Sequence, residues 1–154
     1  MTHQFSTVIA IDPGKDKCGL AIVTCADFDA HRVLDAVVKH GIAPRDEMMS
    51  TMRDLLKHFP NSQIVIGHAT TSGVLREELQ REWPQDEIVI VDETGSTLEA
   101  RGLYWRANPP RGWRRLLPLS SQVPPQPIDD FAAIVLAARF LTSSTRSDEV
   151  KSQK

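Results

Sequence analysis

The chain has 154 residues, with 18 Lys and Arg against 20 Asp and Glu. That length fits one domain and suffices to bury most of its apolar surface without disulfide staples. Hydrophobic residues make up 41% and charged residues 25%, ordinary globular usage that excludes a wholly disordered chain. A net charge of -2 gives no bulk signal of a nucleic-acid partner.

No apolar run approaches the ~20 residues that span a bilayer, so no membrane association is expected. Met1 to Ser6 lacks the basic region and long apolar core of a signal peptide. Cys18 and Cys25 match no metal or redox spacing and read as small hydrophobes in a reducing, cytoplasmic setting.

In chain order, Phe5 to Asp12 predicts a strand, its β-branched run stopping at Asp12-Pro13-Gly14. Gly19 to Cys25 predicts its hairpin partner, and Val33 to His40, closed by Gly41, a third strand. Met48, Met52, Leu55, Leu56 and Phe59 then recur at helical spacing until Pro60. Ile64 to Gly67 reads as a buried parallel strand, Leu75, Leu79 and Trp83 as a second helix, and Ile88 to Val91 as another buried strand. A further helix is expected to start with Ser96 or Thr97 as its cap and Glu99 in its first turn.

Residues 108–127 hold six of the ten prolines and break all periodicity. Ile128 to Leu141 predicts a largely buried helix, and 143–154 a disordered tail. The expected architecture is α/β: one domain over 1–142 with a five-stranded mixed sheet, three antiparallel strands then two parallel, and helices on both faces.

In such a sheet the carboxyl ends of neighbouring strands share one crevice. Asp12 ends the first strand and Glu93 ends the last, while Asp129-Asp130 opens the buried final helix. Converging carboxylates repel unless a cation neutralises them, and oxygen-only ligands suit Mg²⁺ or Mn²⁺. Two such ions, about 3.5–4 Å apart, can activate water and stabilise the leaving oxygen in phosphodiester hydrolysis. Each carboxylate also has a plainer reading. Asp12 can be a turn former, Asp92-Glu93 strand-end polarity, and Asp129-Asp130 helix capping.

From Arg101 to Ile128 there is no acidic residue, yet Arg101, Arg106, Arg111, Arg114 and Arg115 fall there with Tyr104, Trp105 and Trp113 among them. Arginine forks match phosphates and flat rings stack on unpaired bases. Trp113 is the stacking candidate and Trp105 is assigned to packing. The plainer reading packs Leu103, Trp105 and Leu116 and leaves the arginines solvated. Lys15 and Lys17, in the turn after Asp12, are placed to touch a phosphate beside the carboxylates.

Asp12-Pro13-Gly14-Lys15-Asp16-Lys17-Cys18-Gly19-Leu20-Ala21 resembles the D-x-G-x4-G-x-A signature of RNase H-like nucleases of the YqgF/RuvX group. The Asp-Pro-Gly form also resembles RuvC-type Holliday junction resolvases. Asp92-Glu93-Thr94-Gly95-Ser96-Thr97 followed by Ala100 resembles the group's D-E-R-x-[ST]-T-x-x-A motif, and Ile128-Asp129-Asp130-Phe131-Ala132-Ala133 its last motif. The resemblance implies an RNase H-like fold and a divalent-metal nuclease, with catalytic, metal-binding carboxylates at Asp12, Glu93 and Asp129 and Asp130 as the alternative third ligand.

Thr94 departs from the motif's arginine, and Gly67-His68 from its glycine-proline turn. His68 either acts beside the site or is a structural histidine at a strand end. The substrates implied are pre-16S ribosomal RNA, ranked first, or four-way DNA junctions, through ribosome biogenesis or DNA recombination and repair. The implied assembly is a monomer or a homodimer. A non-catalytic nucleic-acid-binding module is the contrasting class; a two-domain sugar-kinase-like ATPase needs a longer chain.

Overall fold

The computed structural model describes residues 4–152. Its strands are β1 (Thr7–Asp12), β2 (Lys17–Thr24), β3 (Val37–Pro44), β4 (Ser62–Gly67) and β5 (Ile88–Val91). The helices are a four-residue turn α1 (Val33–Ala36), α2 (Met48–His58), α3 (Ser72–Glu82), α4 (Ser96–Ala107) and α5 (Asp129–Ser152). The strands form one sheet in the order β3-β2-β1-β4-β5. β1 pairs antiparallel with β2 and β2 with β3, while β1 pairs parallel with β4 and β4 with β5. This is the mixed sheet that the order of elements in the sequence predicts.

Side-chain alternation sorts the strands into two faces. Ile9, Ile11, Leu20, Ile22, Ile64 and Ile66 point to one face and pack with Met48, Met52 and Leu55 of α2 and Leu75 and Leu79 of α3. Each large apolar side chain that leaves water there contributes roughly 1.5–3 kcal/mol. Val8, Ala10, Ala21, Val23 and Val65 point to the other face, against Phe131 to Ala137 of α5, with α4 beside it. The small residues on that face let α5 lie close over the middle strands. Gly19 takes this furthest: a Cβ there would stand 1.9 Å from the Asp129 carbonyl oxygen.

Three expectations are corrected. The segment Val33–Ala36 is helical and β3 runs instead from Val37 through Gly41 to Pro44. The cause is local. Asp29 accepts the His31 N–H and starts a 3₁₀ turn, which delivers Val33 and Ala36 into the core. Gly41 pairs with Leu20 in the β2–β3 ladder, which continues to Pro44, so that glycine does not end the strand.

The cap of α4 is Gly95, at φ 73, rather than Ser96 or Thr97. This left-handed residue follows a turn in which Asp92 Oδ1 accepts both the N–H and the hydroxyl of Thr94. Beyond Thr142, α5 continues to Ser152 where the sequence predicts a disordered tail. The hydroxyls of Thr142, Ser143, Thr145 and Ser147 each donate to the carbonyl four residues back, so these polar side chains are satisfied within the helix instead of drawing the backbone into turns. Residues 153–154 of that tail, and Met1 to His3 of the N-terminal stretch, lie outside the described residues.

Candidate active site

Three segments bring acidic residues to one end of the sheet: β1, the turn after β5, and the start of α5. Asp12 is the last residue of β1 and follows Val8 and Ala10 in the alternation that faces α5. Gly19 is its partner across the β1–β2 ladder, and Asp129 lies directly over Gly19. The antiparallel register and one glycine therefore set Asp12 beside Asp129.

Glu93 arrives from the other side, two residues past β5. A Cβ on Gly67, the last residue of β4, would stand 2.7 Å from Glu93 Oε2, 2.9 Å from Leu136 Cδ1 and 3.4 Å from Pro13 Cδ. Gly67 thus leaves the space into which the Glu93 carboxylate folds, next to the turn that follows Asp12. The departure from a glycine-proline turn keeps the glycine that matters sterically.

Electrostatics registers the same convergence. The Asp12 carboxyl is pushed up to about 7, first by burial and then by the charges of Asp129 and Glu93. Burial also raises Glu93, helped by Asp92 and opposed by His68. His68 is exposed and donates its backbone N–H to the Val91 carbonyl. His68 is therefore an exposed side chain near Glu93 rather than a core histidine.

The remaining carboxylates have partners. Lys17 Nζ lies 3.4 Å from Asp129 Oδ2. Asp130 turns away: its Oδ2 meets His40 Nδ1 of β3 at 2.7 Å and its Oδ1 accepts the Phe131 N–H. His40 also meets the Phe131 ring edge-on. Of the two adjacent aspartates, Asp129 faces Asp12 electrostatically and Asp130 anchors α5 to β3.

Among the described residues no group of three or more His, Cys, Asp or Glu side chains is gathered to hold a metal ion as it stands. Like charges repel, and Lys17 and His40 draw Asp129 and Asp130 to themselves. The donor set still suits a hard divalent cation, because it is all oxygen and burial with two carboxylate neighbours raises Asp12 to about 7, a repulsion that a cation would relieve.

The basic segment divides. Arg111, Trp113, Arg114 and Arg115 are exposed, Trp113 at 69%. Arg106 donates to the His31 carbonyl and ties α4 to the segment before β3, so its guanidinium is already engaged. Arg101 is half-buried, with a buried Nε lacking a partner. Leu103 and Trp105 are buried, while Leu116 is 88% exposed and does not pack. The buried Gln122 shapes the loop by donating to the carbonyls of Arg114 and Leu117. Lys15 is exposed in the β1–β2 turn.

Two supports are unmarked in the sequence. His40 carries no signal beyond its place near a strand end. Arg139, in the apolar run of α5, donates to the carbonyls of Asp92 and Thr94 and to Glu99; a lone charge in that run is the one available clue. A broad groove of about 1320 Å³ runs past Arg139 along β5 and the far half of α5, and takes in neither Asp12, Glu93 nor Asp129.

No protein-family model matches the chain, and no curated protein matches its sequence. Among solved structures it is similar to T. thermophilus RuvC in complex with a Holliday junction substrate, at 10% identity and a TM-score of 0.57 over 92% of this chain and 96% of that one. It is also similar to a Thermus thermophilus RuvC structure, at 11% identity and a TM-score of 0.53 over 90% of this chain and 96% of that one. At such identities the likeness is one of fold, and the fold is the RNase H-like fold of RuvC.

Proposed function

We propose that the protein is a divalent-metal-dependent nuclease that hydrolyses phosphodiester bonds in structured nucleic acid, with branched DNA as its first-ranked substrate. The observation that carries this reading is the half-buried Asp12 carboxyl at the end of the central strands, raised to about 7 by burial and by the charges of Asp129 and Glu93. A structural turn aspartate has no reason to share its surroundings with two further carboxylates.

Asp12, Glu93 and Asp129 would hold the metal. Asp130, engaged by His40, orients the first turn of α5. Bound Mg²⁺ or Mn²⁺ supplies the charge that lets the carboxylates approach and the Lewis acidity that activates water. Lys17, beside Asp129, and Lys15 meet the phosphates flanking the scissile bond. Arg111, Arg114 and Arg115 bind phosphates farther out, and Trp113 stacks on an unpaired base. Arg101 and Arg106 serve packing more than recognition.

Branched DNA ranks first because one similar structure holds a Holliday junction. Maturation of pre-16S ribosomal RNA is the second reading, supported by the Asp-Glu motif and the Ala-Ala start of α5.

Incubation with labelled four-way junction, single-stranded DNA and single-stranded RNA, with Mg²⁺ or Mn²⁺ and beside Asp12→Asn, tests the reading. Metal-dependent cutting that Asp12→Asn abolishes is expected. Cutting undiminished in the variant removes the assigned site. Binding without cutting favours the non-catalytic module, and RNA cutting alone reverses the substrate order. Paired, symmetric cuts in the junction indicate a dimer.

A further inference from the structure

We propose that Arg139 is a positioning residue for Glu93, holding it in register with Asp129 by clamping the two carbonyls that flank it. Arg139 Nη1 donates to the Asp92 carbonyl at 2.8 Å and Nη2 to the Thr94 carbonyl at 2.8 Å. The two ends of one guanidinium therefore bracket Glu93 along the backbone. A planar fork that never loses its charge suits this task, whereas a lysine offers a single point of attachment.

The loop is already shaped from within. Asp92 Oδ1 accepts the Thr94 N–H and hydroxyl, and the Ser96 N–H donates to the Glu93 carbonyl. Those bonds give the loop a form but do not tie it to the rest of the site. Arg139 makes that tie from α5, the same helix whose first residue is Asp129. Ten residues separate the two along one rigid element, about 15 Å at 1.5 Å per residue. Leu136, between them, packs where Glu93 folds over Gly67. A single helix thus fixes one carboxylate directly and the other through its arginine.

The ion pair with Glu99, at 2.7 Å, is a different matter. The Glu99 side chain is 57% exposed, and an ion pair so open to water contributes little. The carbonyl clamp, not the ion pair, holds the loop.

This role for Arg139 rests on the reading of Glu93 as a metal-binding carboxylate. Its test compares Arg139→Gln, Arg139→Lys, Glu99→Gln and Asp12→Asn in the full chain. The readouts are Mn²⁺ affinity by calorimetry, amide hydrogen exchange at 93–96, thermal midpoint, and kcat and KM on a labelled four-way junction. Removing a partner that orients a metal ligand typically costs about 10–100-fold in affinity or activity. Arg139→Gln is expected to weaken Mn²⁺ binding by that factor, to lower kcat far more than it raises KM, and to speed exchange at 93–96. Arg139→Lys falls between it and the wild type, and Glu99→Gln stays close to the wild type. In a Glu93→Gln background Arg139→Gln adds no further loss.

Wild-type Mn²⁺ affinity in Arg139→Gln overturns the proposal, as does an equal loss in Glu99→Gln. If Asp12→Asn weakens Mn²⁺ binding while Arg139→Gln does not, only the role of Arg139 falls. If Asp12→Asn also leaves Mn²⁺ binding unchanged, the reading of the site falls with it.

Discussion

Gly19 and Asp129 touch backbone to backbone: a Cβ on Gly19 would lie 1.9 Å from the Asp129 carbonyl oxygen. β2 and α5 meet there at the residue that pairs with Asp12 across the ladder. Gly19→Ala must therefore lift the start of α5 and carry Asp129 away from Asp12. Overpacking of this kind costs typically 1–3 kcal/mol, and more where the obstacle is backbone, so a destabilisation of about 3 kcal/mol in urea unfolding is expected. A shift of ~1 Å at a reacting centre costs roughly 10²-fold in rate. Cleavage assayed where the variant remains folded should fall by at least that factor; wild-type cleavage would show that Asp129 is not needed at its present distance.

Asp12 makes stability depend on pH in a direction opposite to that of most carboxylates. Its carboxyl titrates at about 7 in the folded chain against an ordinary value of 3.8, so the folded state binds more protons between those values. Stability from this group is therefore full below about 4 and is lost as pH rises through about 7. Solvent reaches the half-buried carboxyl, which limits the effect to on the order of 2 kcal/mol. With a chelator present, urea midpoints should fall from pH 5.5 to pH 8 in the wild type and much less in Asp12→Asn. The variant should be the more stable protein at pH 8 while being inactive. Mg²⁺ or Mn²⁺ should then stabilise the wild type by mass action and leave Asp12→Asn almost unchanged.

Most of the sheet is legible because strand order follows period. Large residues such as Ile9, Ile11, Ile64 and Ile66 alternate with smaller ones such as Ala10 and Val65, and this pattern defines both faces. Asp12, Glu93 and Asp129 are legible because they follow or begin apolar runs. What escapes is decided by interactions between distant residues or by hydroxyls that act on the backbone. Val33 to Ala36 runs straight into the apolar start of β3, yet the local turn at Asp29 and the packing of Val33 and Ala36 into the core make it a helical step. The Ser- and Thr-rich stretch after Thr142 continues α5 with its hydroxyls bonded back to carbonyls of the same helix, an accommodation that composition does not reveal. The difference between Asp129 and Asp130 depends on His40, ninety residues away in the chain. Arg139 escapes for a related reason: two of its partners are carbonyls, which no sequence pattern marks.

The arginines of the basic segment should separate by variant. Arg106 is engaged by the His31 carbonyl, so Arg106→Ala should lower stability by about 1 kcal/mol and leave nucleic-acid affinity nearly unchanged. Arg111, Arg114 and Arg115 are exposed, so their alanine variants should keep stability within about 0.5 kcal/mol. Each of these arginines that neutralises a phosphate should, when replaced, reduce the slope of log affinity against log salt by about 0.9 on duplex arms. Fluorescence anisotropy across a salt series, beside thermal melts, reads both quantities. A salt slope unchanged in the Arg111, Arg114 and Arg115 triple variant would exclude this loop from the phosphate-binding surface.

Trp113 and Trp105 give the sharpest contrast within one loop and helix. Trp105 is 7% exposed and meets Tyr104 edge-on in the core beneath α4, so Trp105→Ala should cost about 3–5 kcal/mol of stability. Trp113 is 69% exposed and follows Gly112, which sits at φ 65. Its ring buries little apolar area on folding, and Trp113→Ala should change stability by less than about 0.5 kcal/mol. A base stacked on such a ring contributes about 1–3 kcal/mol, which corresponds to roughly 5–150-fold in affinity for single-stranded or junction substrates. Binding should quench Trp113 fluorescence, a signal that Trp113→Ala removes while Trp105 and Trp83 continue to report the fold. Full affinity in Trp113→Ala, or a destabilisation comparable to that of Trp105→Ala, would assign the ring to packing.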